Sequence, residues 1–269
     1  MKKLFVATGL VLFISASTNA QDRFFARTYT TNVLPKDAVD FEFWHTSRFG
    51  HLDQFYHAQD QRMEIEVGLG NNWQTAFYFN RYQTRFSDSS QGTTTSNEIG
   101  FSNEWKWRVS GPSRKIGIAL YGEWGIKGGD ELELESKLIL DRNFGKNLLA
   151  LNGVIEYEKE FEWKNGKLES ADWDAPVEFD LAYMYNIRPS FGLGFELRNQ
   201  NEISKDEGWE HSVIFGGPTI NFRGNGWFVI ANYLPQWVNI HRTSVAPSSK
   251  VLDKQERTEV RILLGISLK

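Results

Sequence analysis

Ionisable side chains recur at every second position along much of this chain, and that spacing restricts the chemistry they can do. Glu64 and Glu66, Glu133 and Glu135, and Glu156 and Glu158 stand two apart, and Glu104, Arg108, Glu178 and Glu196 occupy similar settings. In an extended strand, residues two apart project from one face, so each pair presents its carboxylates to a common space. Carboxylates gathered in this way bias a passage toward cations. They also suit a salt-bridged filling, because unpaired buried charge is costly. Histidine offers a second chemistry. His45, His51 and His57 lie close in sequence, Ser47 shares a strand face with His45, and Glu42, Asp53 and Asp60 are near. Such a set could hold a metal ion or compose a Ser-His-acid hydrolase. The three histidines lack a compact ligand spacing such as H-x-x-x-H, and a triad is defined by geometry rather than by order. They are weak metal candidates, no catalytic set is assigned, and a polar rim is the plainer reading.

Strands must position these groups. In and just before residues 64–81, Met63, Ile65, Val67 and Leu69 alternate with Arg62, Glu64, Glu66 and Gly68; after Asn71-Asn72, Trp73, Thr75, Phe77 and Phe79 alternate with Gln74, Ala76, Tyr78 and Asn80. Alternation broken by a Gly-Asn-Asn turn predicts a β-hairpin. The unit repeats, giving about twelve strands near 38–49, 55–69, 73–86, 97–109, 115–127, 131–144, 148–163, 175–188, 191–201, 209–222, 227–239 and 257–268. Long polar links alternate with short ones rich in Gly, Asn and Pro, as in outer-membrane barrels. Residues 27–35 read as an irregular or extended entry segment. Trp73, Trp105, Trp107, Trp124, Trp163, Trp209 and Trp227 fall near strand ends, where they suit interfacial girdles. The predicted fold is all-β: a transmembrane antiparallel up-and-down β-barrel of about twelve strands. That strand number lies between filled and water-filled barrels, so a narrow or plugged pore is expected.

Residues 1–20 combine Lys2 and Lys3, an apolar stretch and small residues at 18 and 20, the pattern of a cleaved signal peptide. Residues 21–269 are then a single barrel domain. The chain has no cysteine, a net charge of −4 and a pI near 5.8, which gives no support to nucleic-acid binding. No Gly-rich phosphate loop leads a strand into a helix, and no cofactor is implied.

The stretch LPKDAVDFEFWHTSRFG and the following EIEVGLGNNWQTAFYFN carry a family resemblance through Leu34, Pro35, Lys36, Glu42, Glu64, Glu66, Gly68, Leu69, Tyr78 and Asn80. They resemble an uncharacterised family of bacterial outer-membrane proteins, with Asp37 in place of the usual Gly. More broadly the chain is similar to porin-like barrels classed as transporters. The terminal aromatic residue common in such barrels is missing after Gly265, Ile266 and Leu268. The resemblance implies fold and a location in the bacterial outer membrane, and no substrate. The expectation is a porin-like channel or transporter for small solutes, not an enzyme, with Glu64, Glu66, Glu104, Arg108, Glu133, Glu156, Glu178 and Glu196 as lumen determinants. Expected partners are outer-membrane lipid, the assembly machinery and small solutes. The alternatives are a lipid hydrolase at the rim using His45 and Ser47, and a non-conducting barrel that binds partners through its outer loops.

Overall fold

Asn71 and Asn72 both take positive φ, 51° and 66°. That left-handed pair matches the twist of the flanking strands and fixes their register. The structure is a computed structural model that describes residues 23–268 except 53, 89–91, 114 and 165. The expected signal peptide lies outside the described residues. The strands are β1 Val39–Phe49, β2 Phe55–Gly70, β3 Trp73–Asp88, β4 Gly92–Ser110, β5 Gly117–Lys127, β6 Glu131–Phe144, β7 Asn147–Lys164, β8 Lys167–Asp174, β9 Val177–Arg188, β10 Phe191–Ser204, β11 Gly208–Gly224, β12 Trp227–His241 and β13 Thr258–Ser267.

Apart from β8, each strand pairs antiparallel with the next, β7 passing to β9, and β13 pairs with β1, Phe43 opposite Leu264. That pairing closes the barrel, so that its membrane-crossing strands have partners on both sides, the condition for crossing a bilayer with strands. β8 does not enter the closure. It folds back on the outer end of β7, Trp163 opposite Leu168, while the lower part of β7 pairs with β9. Twelve strands therefore form the barrel and β8 is an appended hairpin arm. Two sequence expectations are corrected here. Residues 164–174 are largely strand rather than loop, and most of the 87–96 link extends β3 and β4 beyond the barrel rim. Both extensions lie above the apolar belt, where no lipid face imposes hydrophobic alternation.

The belt itself is as expected. Met63, Ile65, Phe77, Phe79, Leu134, Leu138, Phe179, Leu181, Ile262 and Leu264 are exposed large apolar side chains on the outside of the closed sheet. A contiguous apolar surface of this extent belongs against lipid. Trp73, Trp105, Trp107, Trp124, Trp209 and Trp227 point outward with it, and the side chain of Trp163 lies outside the described set. The inward face carries Glu42, Glu64, Glu66, Glu104, Asn152 and Glu196, all buried.

Candidate functional site

Inside the barrel lies the N-terminal segment, residues 23–34. Arg23, Phe25, Ala26, Thr28, Tyr29, Thr30, Thr31 and Leu34 are buried. Residues 27–35 are irregular, as expected, and their place inside the lumen is what the sequence reading did not foresee. No strand offers it a ladder, so its backbone groups must find partners elsewhere. They find side chains of the wall. Leu34 N donates to Gln74 Oε1 at 2.8 Å, and Thr31 N to Asp141 Oδ2 at 2.8 Å. Asn152 closes a two-way bond with Tyr29, accepting from its N at 2.6 Å and donating to its O at 3.0 Å. Three successive amides, of Ala26, Arg27 and Thr28, converge on the Glu196 carboxylate at 3.2, 2.9 and 3.0 Å. Consecutive backbone N–H groups forming a concavity are an anion cradle. Phe25 packs on Leu148, Ala150, Ala182 and Met184 near the short turns. Where the segment leaves the lumen, it crosses Gly68 so closely that a Cβ there would meet the Pro35 carbonyl at 1.9 Å. The short turns mark the periplasmic end, so the segment plugs the periplasmic half.

Above the plug is a cavity of about 600 Å³, with Arg27 and Tyr29 as its base. Among the described residues, eleven carboxylates and eight cationic side chains line it, a formal net charge of −3. The two signs are partly separated. β6 and β7 set Glu133 opposite Glu158 and Glu135 opposite Glu156. Like charges directly across a ladder repel, and Lys127 and Lys137 answer only part of that repulsion, at 3.7 Å from Glu133 and 2.9 Å from Glu135. Across the barrel, by the strand order, stand β13 and β1 with Arg261 and Arg48. There Arg27, Arg48 and Arg198 converge on Glu259 at 3.2, 3.7 and 3.4 Å, and Arg27 and Arg198 share Glu178 at 2.9 and 2.5 Å. Arg48 also pairs with Asp60.

The long link after β12, residues 242–257, folds over the outer mouth. Ala246 and Val251 pack on Val213, Phe215 and Leu234. Gln236 donates to the carbonyls of Val251 and Glu256 at 3.2 and 2.9 Å. Lys254 donates to Glu210 at 2.6 Å, which raises the Lys254 pKa, and Lys254, Gln255 and Glu256 reach the cavity.

The expected lumen residues separate into groups. Glu133, Glu156 and Glu178 line the cavity. Glu64, Glu66, Glu104 and Glu196 are buried lower, around the plug. Glu64 and Glu42 face Arg23 at 3.9 and 3.6 Å, Tyr78 donates to Glu104, and Gln74 donates to Glu66 at 3.0 Å. Arg108 sits at the periplasmic turn, donating to Asn72 Oδ1 at 2.7 Å. The plug cations Arg23 and Arg27 were not among the sequence candidates. Arg23 lies over the Tyr29 and Trp44 rings at 3.6 and 4.5 Å.

The histidines do not converge. His57 stacks on Phe49 at 4.9 Å between ring centroids, and His51 on Tyr56 at 3.6 Å. Among the described residues, the carboxylate groups close enough to share an ion are instead Glu42–Glu64–Glu66 and Glu131–Glu133–Glu158, with oxygens within 4.8 Å. Arg23 borders the first and Lys127 the second. His45 and Ser47 do meet, at 3.0 Å between Nε2 and Oγ, on the outward face of β1.

The sequence profile of a family of unknown function matches residues 17–268. No curated protein matches the chain. Among solved structures, an outer membrane channel from Pseudomonas putida F1 is similar, with a TM-score of 0.63 at 10% identity over 88% of this chain and 98% of that one. The β domain of a Bordetella autotransporter gives 0.60 at 10% identity over 87% and 100%. The translocator domain of the Neisseria meningitidis autotransporter NalP gives 0.52 at 11% identity over 86% and 88%. At such identities the likeness is one of fold. Closed sheet, lipid-facing belt and shared architecture together make the molecule a bacterial outer-membrane β-barrel.

Proposed function

The chain belongs to this family, DUF6662, and we propose that it is a gated outer-membrane channel for small polar solutes. Solute enters from the exterior into the charged cavity and passes to the periplasm when the N-terminal segment moves aside. One observation carries the reading: the base of the cavity is Arg27 and Tyr29, which belong to a separable segment rather than to the wall. The wall beneath is polar, through Gln74, Asp141, Asn152, Glu196 and Asn221, so displacement of the segment would uncover a hydrated path. The net −3 lining and the Glu133–Glu158 and Glu135–Glu156 pairs favour cations. The similar Pseudomonas barrel is itself described as a channel.

The test is the reversal potential of the refolded protein in a planar bilayer under a KCl gradient. Cation-preferring current that weakens in a Glu133→Gln, Glu156→Gln double variant supports the proposal. A folded barrel that stays silent after removal of the plug contradicts it and favours partner binding through the outer loops. The 3.0 Å contact of Ser47 with His45 supports a second reading, an acyl hydrolase at the lipid face. A fluorophosphonate probe that labels wild type but not Ser47→Ala would establish it; absence of labelling would remove it.

A further inference from the structure

Above the apolar belt the outer surface of β1–β4 is largely polar, Phe49 and Phe55 apart, and among the described residues its ionisable groups are all basic or imidazole. In these four strands odd-numbered side chains face outward: Met63, Phe79 and Ile99 are exposed, whereas Glu42, Glu64 and Glu104 are buried. Every carboxylate of the four strands has an even number, while His45, His57, Arg81 and Arg85 have odd ones. The register stacks them by height. Met63, Phe79 and Phe101 form the last fully apolar row; then come Gln61, Arg81 and Ile99, then Gln59, Gln83 and Asn97, then His57, Arg85 and Thr95. With the strands tilted by about 40°, Arg81 thus lies about 5 Å above the apolar row and Arg85 about 10 Å beyond Arg81.

Arg81 is fixed by neutral groups. It donates to Gln61 Oε1 at 3.2 Å and to Asn97 Oδ1 at 3.0 Å, and Gln83 donates to the same Asn97 oxygen at 2.8 Å. Amide oxygens orient the guanidinium without cancelling its charge. Both arginines are exposed, on a face continuous with the lipid-contacting belt. What meets that face at that height is the headgroup layer of the outer leaflet. The layer of an ordinary phospholipid is only about 5–8 Å deep on each side, too shallow to reach both arginines. A taller headgroup with more than one phosphate reaches both, and arginine suits phosphate oxygens in charge and geometry.

We propose that Arg81 and Arg85, with His57, form a binding face for the phosphates of a multiply phosphorylated glycolipid in the outer leaflet. The site is independent of conduction, because it lies on the opposite side of the sheet from the cavity.

The test uses the full refolded chain in mixed micelles, titrated with bisphosphorylated lipid A, its dephosphorylated form and phosphatidylglycerol. Wild type should bind bisphosphorylated lipid A more tightly than either control, with affinity falling as salt rises. Arg81→Gln and Arg85→Gln should each weaken binding about fivefold, and together about 30-fold, at roughly the strength of one basic residue near an anionic surface for each. Heat-modifiable mobility verifies that the variants are folded; Arg81→Lys and Arg85→Lys, which keep the charge, serve if the Gln forms are not. Equal binding of the dephosphorylated lipid or of phosphatidylglycerol would overturn the proposal, as would unchanged affinity in a folded double variant.

Discussion

Replacing Glu196 by Ala should release the plug while leaving the barrel closed. Glu196 accepts from the amides of Ala26, Arg27 and Thr28, from Thr28 Oγ1 at 3.3 Å and from Asn232 Nδ2 at 3.2 Å. Hydrogen bonds to a charged acceptor contribute about 1.5 kcal/mol or more each. Counting only the two shortest, to Arg27 and Thr28, gives about 3 kcal/mol, or about 150-fold in the ratio of seated to displaced plug. The barrel ladder uses none of these bonds. Because the chain has no cysteine, a single Thr28→Cys reports on the segment cleanly. Its thiol is buried when seated and reacts with a bulky maleimide only after opening, so the rate follows the open population. Adding Glu196→Ala should speed labelling by about two orders of magnitude. Glu196→Gln keeps one carbonyl acceptor and should speed it about fivefold. Equal rates in all three, with heat-modifiable mobility intact, would refute the anchoring role of Glu196.

Gly68→Ala should lower stability by about 1–3 kcal/mol and disturb the exit of the plug, since the new Cβ would sit 1.9 Å from the Pro35 carbonyl; an unchanged urea midpoint would argue against that crossing. Asp37 has φ 64°, where the family resemblance places Gly. Asp37→Gly should be neutral or stabilising and Asp37→Val should cost about 1–2 kcal/mol, read from the same unfolding curves. His51, outside the strands, has its pKa lowered by burial, with Asp253 opposing. The docked loop therefore favours neutral imidazole. Its contribution is full above the free-histidine value of about 6.5 and is lost as pH falls below that toward the lower folded value. Exchange of the Leu52 amide, which donates to Leu252 O at 2.6 Å, corrected for intrinsic rate, should accelerate between pH 7 and pH 5; a flat profile would contradict this.

The barrel wall was legible because lipid on one side and water on the other enforce a period of two. Glu64, Tyr78 and Trp44 face inward as alternation predicts. The plug was not legible. Its partners Gln74, Asp141, Asn152 and Glu196 lie 40 to 170 residues away, and bonds from backbone to distant side chains leave no periodic trace. One signal was present: polar residues such as Asn152 and Asn221 at inward positions of the strands are buried and call for partners. Arg48 was recoverable from parity alone, since it continues the inward row of Asp40, Glu42 and Trp44. The β8 arm lies above the apolar belt, so lipid imposes no pattern on it. The role of each glutamate depends on its height relative to the plug, which parity does not encode. Glu156 lines the cavity while Glu196 holds the segment that closes it.

The most direct test of a channel closed by its own N-terminal segment compares the full chain with one lacking residues 23–34, both refolded into the same planar bilayer. The intact protein should be closed or open briefly, and the shortened one should give long-lived, cation-preferring steps. Equal conductance in the two, or silence from a folded shortened barrel, would contradict it.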